Sequence, residues 1–172
     1  MRFKTLVVVL GLCVASGSAW ADPPAAPTNI KAEPSTPRSA KLTSESASAE
    51  IAGDPQAALK LADKAIAADP RNPWSYYDRG AALARLGMTD DSLKAFSAAE
   101  QRYALSDLWG RSVAIYGRAH ALSEANRCDE AKKELARYAA FIRERDAKSA
   151  DLAMKYAADC KIPAEAPHRV RR

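Results

Sequence analysis

Apolar and polar positions between residues 53 and 99 repeat at a fixed distance. Residues 53–59 read Gly-Asp-Pro-x-x-Ala-Leu, and residues 87–93 read Gly-Met-Thr-x-x-Ser-Leu. Gly53 and Gly87, Leu59 and Leu93, and Ala65 and Ala99 are each 34 residues apart. Inside the period, Leu93, Phe96 and Ala99 fall at i, i+3 and i+6, the spacing of one helix face. A period of that length with helical patterning predicts a helix–turn–helix solenoid.

The punctuation sets the helices. Leu42–Ala52 is the weakest, because its many serines prefer caps and turns, and it is helical mainly because the repeat needs a first helix there. Gly53 closes it in a left-handed conformation, Asp54 caps the next helix, and Pro55 sits in a first turn where a missing amide costs nothing. That helix runs to Ala68 and buries Ala58, Leu59, Ala62, Ala65 and Ile66, before Asp69-Pro70-Arg71-Asn72 stops it. The next spans Pro73 to Leu86. Its Gly80 costs about 1 kcal/mol against alanine mid-helix and makes sense where a neighbouring helix must come close. Gly87 closes it, and Thr89 is expected to cap the following one.

The third unit is displaced. Asn126 stands where the closing glycine belongs, 39 residues after Gly87, and Leu135 follows Phe96 by the same 39. The five extra residues belong around Asp107–Arg111, with Ser106 capping a lengthened helix that runs to Ala125. A helix from Asp129 to Arg145 turns Ala131, Leu135, Tyr138 and Ile142 inward, and a last one, Ser149–Asp159, carries Leu152, Ala153 and Tyr156 on one face. Such a cap covers the outer face of a terminal repeat.

Tyr76-x-x-Arg79-Gly80-x-x-Leu83, then Gly87, Ser92-x-x-x-Phe96 and Ala99, resembles the tetratricopeptide repeat, as do Gly53, Ala58, Ala65 and Asp69-Pro70 before them. The family favours Trp where Tyr76 stands, Leu at Arg79, Tyr at Leu83 and Ala at Ser92; the small-residue and turn positions are intact. The resemblance covers residues 41–160 and implies an all-α solenoid of three repeats with a C-terminal capping helix. It speaks weakly to function, since the family supplies protein-binding scaffolds of different purposes.

The two ends read differently. Residues 1–21 form a cleavable signal peptide: Arg2 and Lys4 make a basic start, Leu6–Val14 an apolar core, and Ala19-Trp20-Ala21 the cleavage site. The apolar core is short of the ~20 residues a spanning helix needs. Leu12 is too bulky before Cys13 for a lipidation signal. Residues 22–40 hold five of the ten prolines and read as a spacer, and residues 161–172 as a basic tail ending His168-Arg169-Val170-Arg171-Arg172. The expected location is the periplasm of a bacterium or the exterior, with no integral membrane segment in the mature chain. Losing Arg2 and Lys4 takes Lys+Arg from 26 to 24 against 21 Asp+Glu, so the net charge falls from +5 to +3. That balance gives no argument for nucleic acid.

Candidate chemistry is sparse. His120 and His168 belong to no ligand-spaced cluster, and no phosphate-cradling or nucleophile-elbow motif is present. No cofactor, metal or enzymatic activity is expected. Asp90 and Asp91 suit a helix N-terminus. After signal removal Cys128 and Cys160 remain, at the start of one antiparallel helix and the end of the next. An oxidising compartment argues for a disulfide, with free thiols the alternative.

The resemblance puts the binding surface on the first helix of each unit, through Thr43, Ala47 and Glu50; Trp74, Tyr77, Ala81 and Arg85; and Val113, Tyr116, His120 and Glu124. Aromatic bodies with polar tips suit an extended peptide or a helix. Trp74 and Tyr76 could instead pack between repeats. Family members that clamp a terminal carboxylate use Lys and Asn where Tyr77, Asp78 and Ala81 stand, which disfavours that mode. The function expected is a non-catalytic protein–protein scaffold of the bacterial envelope. A structural subunit built by repeat stacking is the first rival, and a small enzyme or ligand carrier the second. The oligomeric state stays open.

Overall fold

The structure, a computed structural model, describes residues 35–164. The expected signal peptide, residues 22–34 of the spacer and residues 165–172 of the tail lie outside them. Among the described residues the chain is all-helical, a solenoid of α1 (Pro37–Ile51), α2 (Pro55–Ala68), α3 (Pro73–Arg85), α4 (Thr89–Arg102), α5 (Leu108–Glu124), α6 (Cys128–Ile142) and α7 (Ala147–Asp159). Helices pair as α1/α2, α3/α4 and α5/α6, each pair packs on the next, and α7 covers α6.

The turns behave as their residues dictate. Gly53 and Gly87 take φ of 77° and 75°, and Asn126 takes 58° in the equivalent place. Asparagine is the residue that best tolerates this region after glycine. Asp54 accepts the amide of Ala57 at 2.9 Å, as expected of a cap. Two caps differ from expectation. Thr89 is the first helical residue of α4, and Met88 before it gives no side-chain cap. Asp107, not Ser106, caps α5 by accepting the Gly110 amide at 2.9 Å, since its carboxylate is the stronger acceptor three residues ahead of that donor.

One repeat position pair explains how each unit closes. In the first, the Ser46 hydroxyl donates to the Ala58 carbonyl at 2.8 Å; in the second, the Ser92 hydroxyl donates to the Gly80 carbonyl at 2.8 Å. The serine has changed helix while the bond kept its place. The third unit has buried Ala119 and Ala131 there, and closes by apolar contact.

The helix expected to start at Leu42 starts at Pro37, because Thr36 accepts the Ser39 amide and Pro37 fits the first turn. Its serines are not a defect. Ser39 and Ser46 are buried, and each donates across the interface, Ser39 to the Ala65 carbonyl at 2.9 Å.

The five extra residues of the third unit divide between a loop and a helix. Tyr103–Asp107 is one residue longer than the α2–α3 connection, and α5 has 17 residues against 13 in α3. Four residues are about one turn, and the added turn carries Trp109 onto Trp74, with ring centroids 5.0 Å apart.

Within α7 the buried stripe is Ser149, Ala150, Ala153 and Ala157, with Tyr156 partly covered. Leu152, expected inward, is exposed, because α7 lies close enough to its neighbours that alanines fill the seam. Cys128 and Cys160 are at disulfide distance, with Cα atoms 5.5 Å apart. Cys160 also gives its carbonyl to the Ser123 hydroxyl at 2.8 Å, tying the end of α7 to α5.

Candidate functional site: the face of the first helices

The first helices of successive units touch one another, α1 against α3 and α3 against α5, whereas the backbones of α2, α4 and α6 stay apart. Long side chains bridge that outer side, as where Arg137 reaches Glu100. The closer approach of α1, α3 and α5 makes theirs the inner face of the stack.

On that face the structure brings Trp74, Tyr77, Ala81 and Arg85 into line along α3. Trp74 and Tyr77 are half-buried, with their rings edge-on at 5.8 Å. Trp74 also meets Tyr103 edge-on at 5.2 Å, so one indole is shared by three aromatic neighbours. Tyr77 meets Phe96 at 5.3 Å. Phe96 lies where Gly80 and Gly117 leave room: a Cβ at Gly80 would stand 2.9 Å from the ring, and one at Gly117 2.7 Å. The close approach expected at Gly80 is therefore to a side chain wedged between α3 and α5, not to a bare backbone. Tyr76 packs between repeats under Arg102, whose guanidinium carbon stands 3.9 Å from the ring centroid.

The α5 residues divide. His120 is half-buried and stands 3.7 Å from the exposed Glu124. Burial lowers the imidazole pKa, with Glu124 opposing and Arg85 assisting, so at neutral pH His120 is uncharged. Tyr116, expected to line an open groove, is 2% exposed. Its ring lies edge-on to Tyr138 at 5.1 Å because α5 turns that position onto α6. It is part of the floor, and its buried hydroxyl has no protein partner.

Tyr103 and Trp109 went unread in the sequence, and Asp78 was read only as a departure from the carboxylate clamp. Tyr103 fills the space a Cβ at Gly110 would need, and Trp109 completes the aromatic group. Asp78 is buried on the α3 face with its Oδ2 unpartnered. Burial first, and the carboxylate of Glu50 second, push Asp78 up to about 7. The same causes, burial and then Asp78 and Glu50, push Tyr77 up to about 12. Burial also raises Glu50, against the opposing charge of Arg85. An aspartate at that groove position gives no sign in sequence that it is buried there.

A second concavity of about 320 Å³ lies beside α4–α6, lined by Ser97, Glu100, Tyr103, Arg111, Arg118 and Arg137. Its charges are largely matched: Arg118 pairs with Glu134 at 2.8 Å, and Arg137 with Glu134 and Glu100. Among the described residues no group of His, Cys, Asp and Glu is placed to hold a metal, and no helix is long and apolar enough to cross a membrane.

A family model for the tetratricopeptide repeat matches residues 61–94, one period running from within α2 through α3 into α4. The residues matched include Trp74, Tyr77, Asp78 and Arg85. Comparison with the curated proteins and with the solved structures gives no match. Tetratricopeptide repeats generally mediate protein–protein interaction, and this fold is generally non-enzymatic.

Proposed function

We propose that this chain is a non-catalytic interaction module of the bacterial cell envelope, and that α1, α3 and α5 take an extended segment or a helix of a partner protein. The observation that carries this reading is the half-buried aromatic group around Trp74 and Tyr77 on the inner face. Rigid rings that are partly covered before binding lose little side-chain freedom on contact, which is why such residues anchor interfaces. Arg85 and His120 lie along the same face at a level where a partner's polar groups can meet them. The signal-like first 21 residues and the paired cysteines support export into an oxidising compartment, in which the disulfide closes.

The test is crosslinking and affinity capture from envelope fractions with the parent chain and with Tyr77→Ala. The parent is expected to retain specific partners that the variant loses at least tenfold. Tyr77 reports on the face alone, whereas removal of the buried Tyr116 would open the core. Equal recovery by a folded Tyr77→Ala chain would place the binding surface elsewhere.

A further inference from the structure

The inner face carries a carboxyl group that no described residue answers. Asp78 is 7% exposed, its Oδ2 has no hydrogen-bond partner, and no ion pair reaches it among the described residues. Its place on α3 is between Trp74 and Arg85, four residues after the one and seven before the other, which sets it on the binding face. Glu50 of α1, half-buried, leaves its Oε1 unpartnered as well. The Tyr103 hydroxyl is a third orphan within the field of Asp78. Arg85 is exposed at the end of α3, and its charge acts on Glu50. Burying a carboxylate without a donor or a counter-charge is costly, so such groups are kept where something supplies both.

The surroundings say what that something is. Trp74, Tyr77, Tyr103 and Trp109 form a connected group of rings beside the aspartate, with centroid separations of 5.0 to 5.8 Å. Ring faces attract cations and carboxylates attract them more strongly, and a guanidinium or ammonium supplies donors without an acceptor. An acidic group would meet two carboxylates, and an apolar one would leave Asp78 orphaned. We propose that the groove receives a lysine or arginine side chain of the partner segment, with Asp78 as its buried counter-ion and Glu50 as the second acid. This rests on the groove assignment above and names the partner's chemistry there.

The test uses the full chain at pH 7.5 and two probes, acetyl-Ala-Ala-Arg-Ala-Ala-amide and the same peptide with citrulline for arginine. Citrulline keeps the shape and loses the charge. Binding is read from the indole N–H resonance of Trp74. The arginine peptide is expected to bind at least tenfold more tightly, and Asp78→Asn, whose helicity is checked by circular dichroism, to erase the difference. Glu50→Gln, at a half-buried site, is expected to cut the preference at least threefold and serves if Asp78→Asn does not fold. Equal affinities for the two peptides, with the Trp74 signal moving in both, overturn the counter-ion assignment and leave groove binding standing. No movement with either peptide also overturns it, while the envelope capture judges the groove separately. If the arginine preference shows only after Arg169→Gln, Arg171→Gln and Arg172→Gln, the cation belongs to the chain's own basic end, and a partner's side chain is ruled out.

Discussion

The joint between the first two units and the joint between the last two occupy equivalent places in the solenoid but are made of different contacts. Where α1 meets α3, the seam is polar. The Asn72 amide donates to the hydroxyls of Ser39 and Thr43 at 3.0 and 3.2 Å, and Thr43 and Ser75 share a hydrogen bond at 3.0 Å. Asp69 accepts the amide of Thr36 at 3.1 Å and that of Arg71 at 3.0 Å. Burial alone would raise Asp69, but those backbone donors and the Arg71 guanidinium together outweigh it and hold its pKa below the ordinary value. Where α3 meets α5, the seam is aromatic, with Trp74, Tyr77, Phe96, Tyr103 and Trp109 in contact. A polar joint depends on a few directional bonds and on short side chains that let backbones approach. An aromatic joint depends on area and volume, and it leaves rings at the surface that a partner can use. The proposed binding face is on the second kind of joint for that reason.

The largest expected effect comes from emptying the aromatic joint. Phe96 is buried between two glycines that cannot move inward to replace it. Phe96→Ala is expected to cost about 3–5 kcal/mol, the range for a buried phenylalanine, measured as the loss of unfolding free energy in urea. A cost near 1 kcal/mol would mean that α3 and α5 collapse onto the gap, and that the two joints differ little in how they resist loss of a side chain.

The next effect appears only as pH rises and belongs to Asp78, which faces Glu50 on α1, Tyr77 on its own helix and Tyr103 after α4. Its folded pKa, about 7, lies above the ordinary 3.8. A raised carboxyl pKa means that the folded state holds the proton more tightly. The stability it gives is full below the ordinary value and is lost as pH rises through the folded one. Asp78→Asn removes that dependence. The variant is expected to exceed the parent in stability by on the order of 2–3 kcal/mol at pH 8 and to match it near pH 4. Urea midpoints at the two pH values measure it, and a constant difference would show that Asp78 does not titrate in this range.

The sequence carried the fold through its turns and small residues. Gly53, Gly87, Asn126 and the 34-residue spacing act locally, so each could be read without knowing what lies opposite. The displaced third unit was legible for the same reason, since an insertion shifts every later landmark by one amount. The site was only partly legible. The face holding Trp74, Tyr77, Ala81 and Arg85 was implied by the resemblance to the tetratricopeptide repeat. Tyr116 was misplaced because burial of a tyrosine depends on whether α6 approaches, and Tyr138 on α6 meets it edge-on. The burial of Asp78 and the packing of Trp109 escaped notice because they depend on neighbours on other elements: Glu50 for one, Trp74 for the other.

The smallest effect tests the polar joint, where a single side chain does two things. The Asn72 Nδ2 donates to Ser39 and Thr43, while its Oδ1 caps α3 by accepting the Trp74 amide at 3.1 Å. Asn72→Ala removes both and is expected to cost about 1–2 kcal/mol, the sum of a lost cap and modest net hydrogen bonds. Asn72→Asp separates them, since a carboxylate keeps the capping oxygen and cannot donate. If Asn72→Asp restores most of the stability, the cap carried the loss and the hydroxyl network is passive. If it is as unstable as Asn72→Ala, the Nδ2 bonds hold α1 against α3. That second result is expected, because the hydroxyls of buried Ser39 and half-buried Thr43 would then face a carboxylate beside Asp69, and the first unit would loosen while the aromatic joint stayed intact.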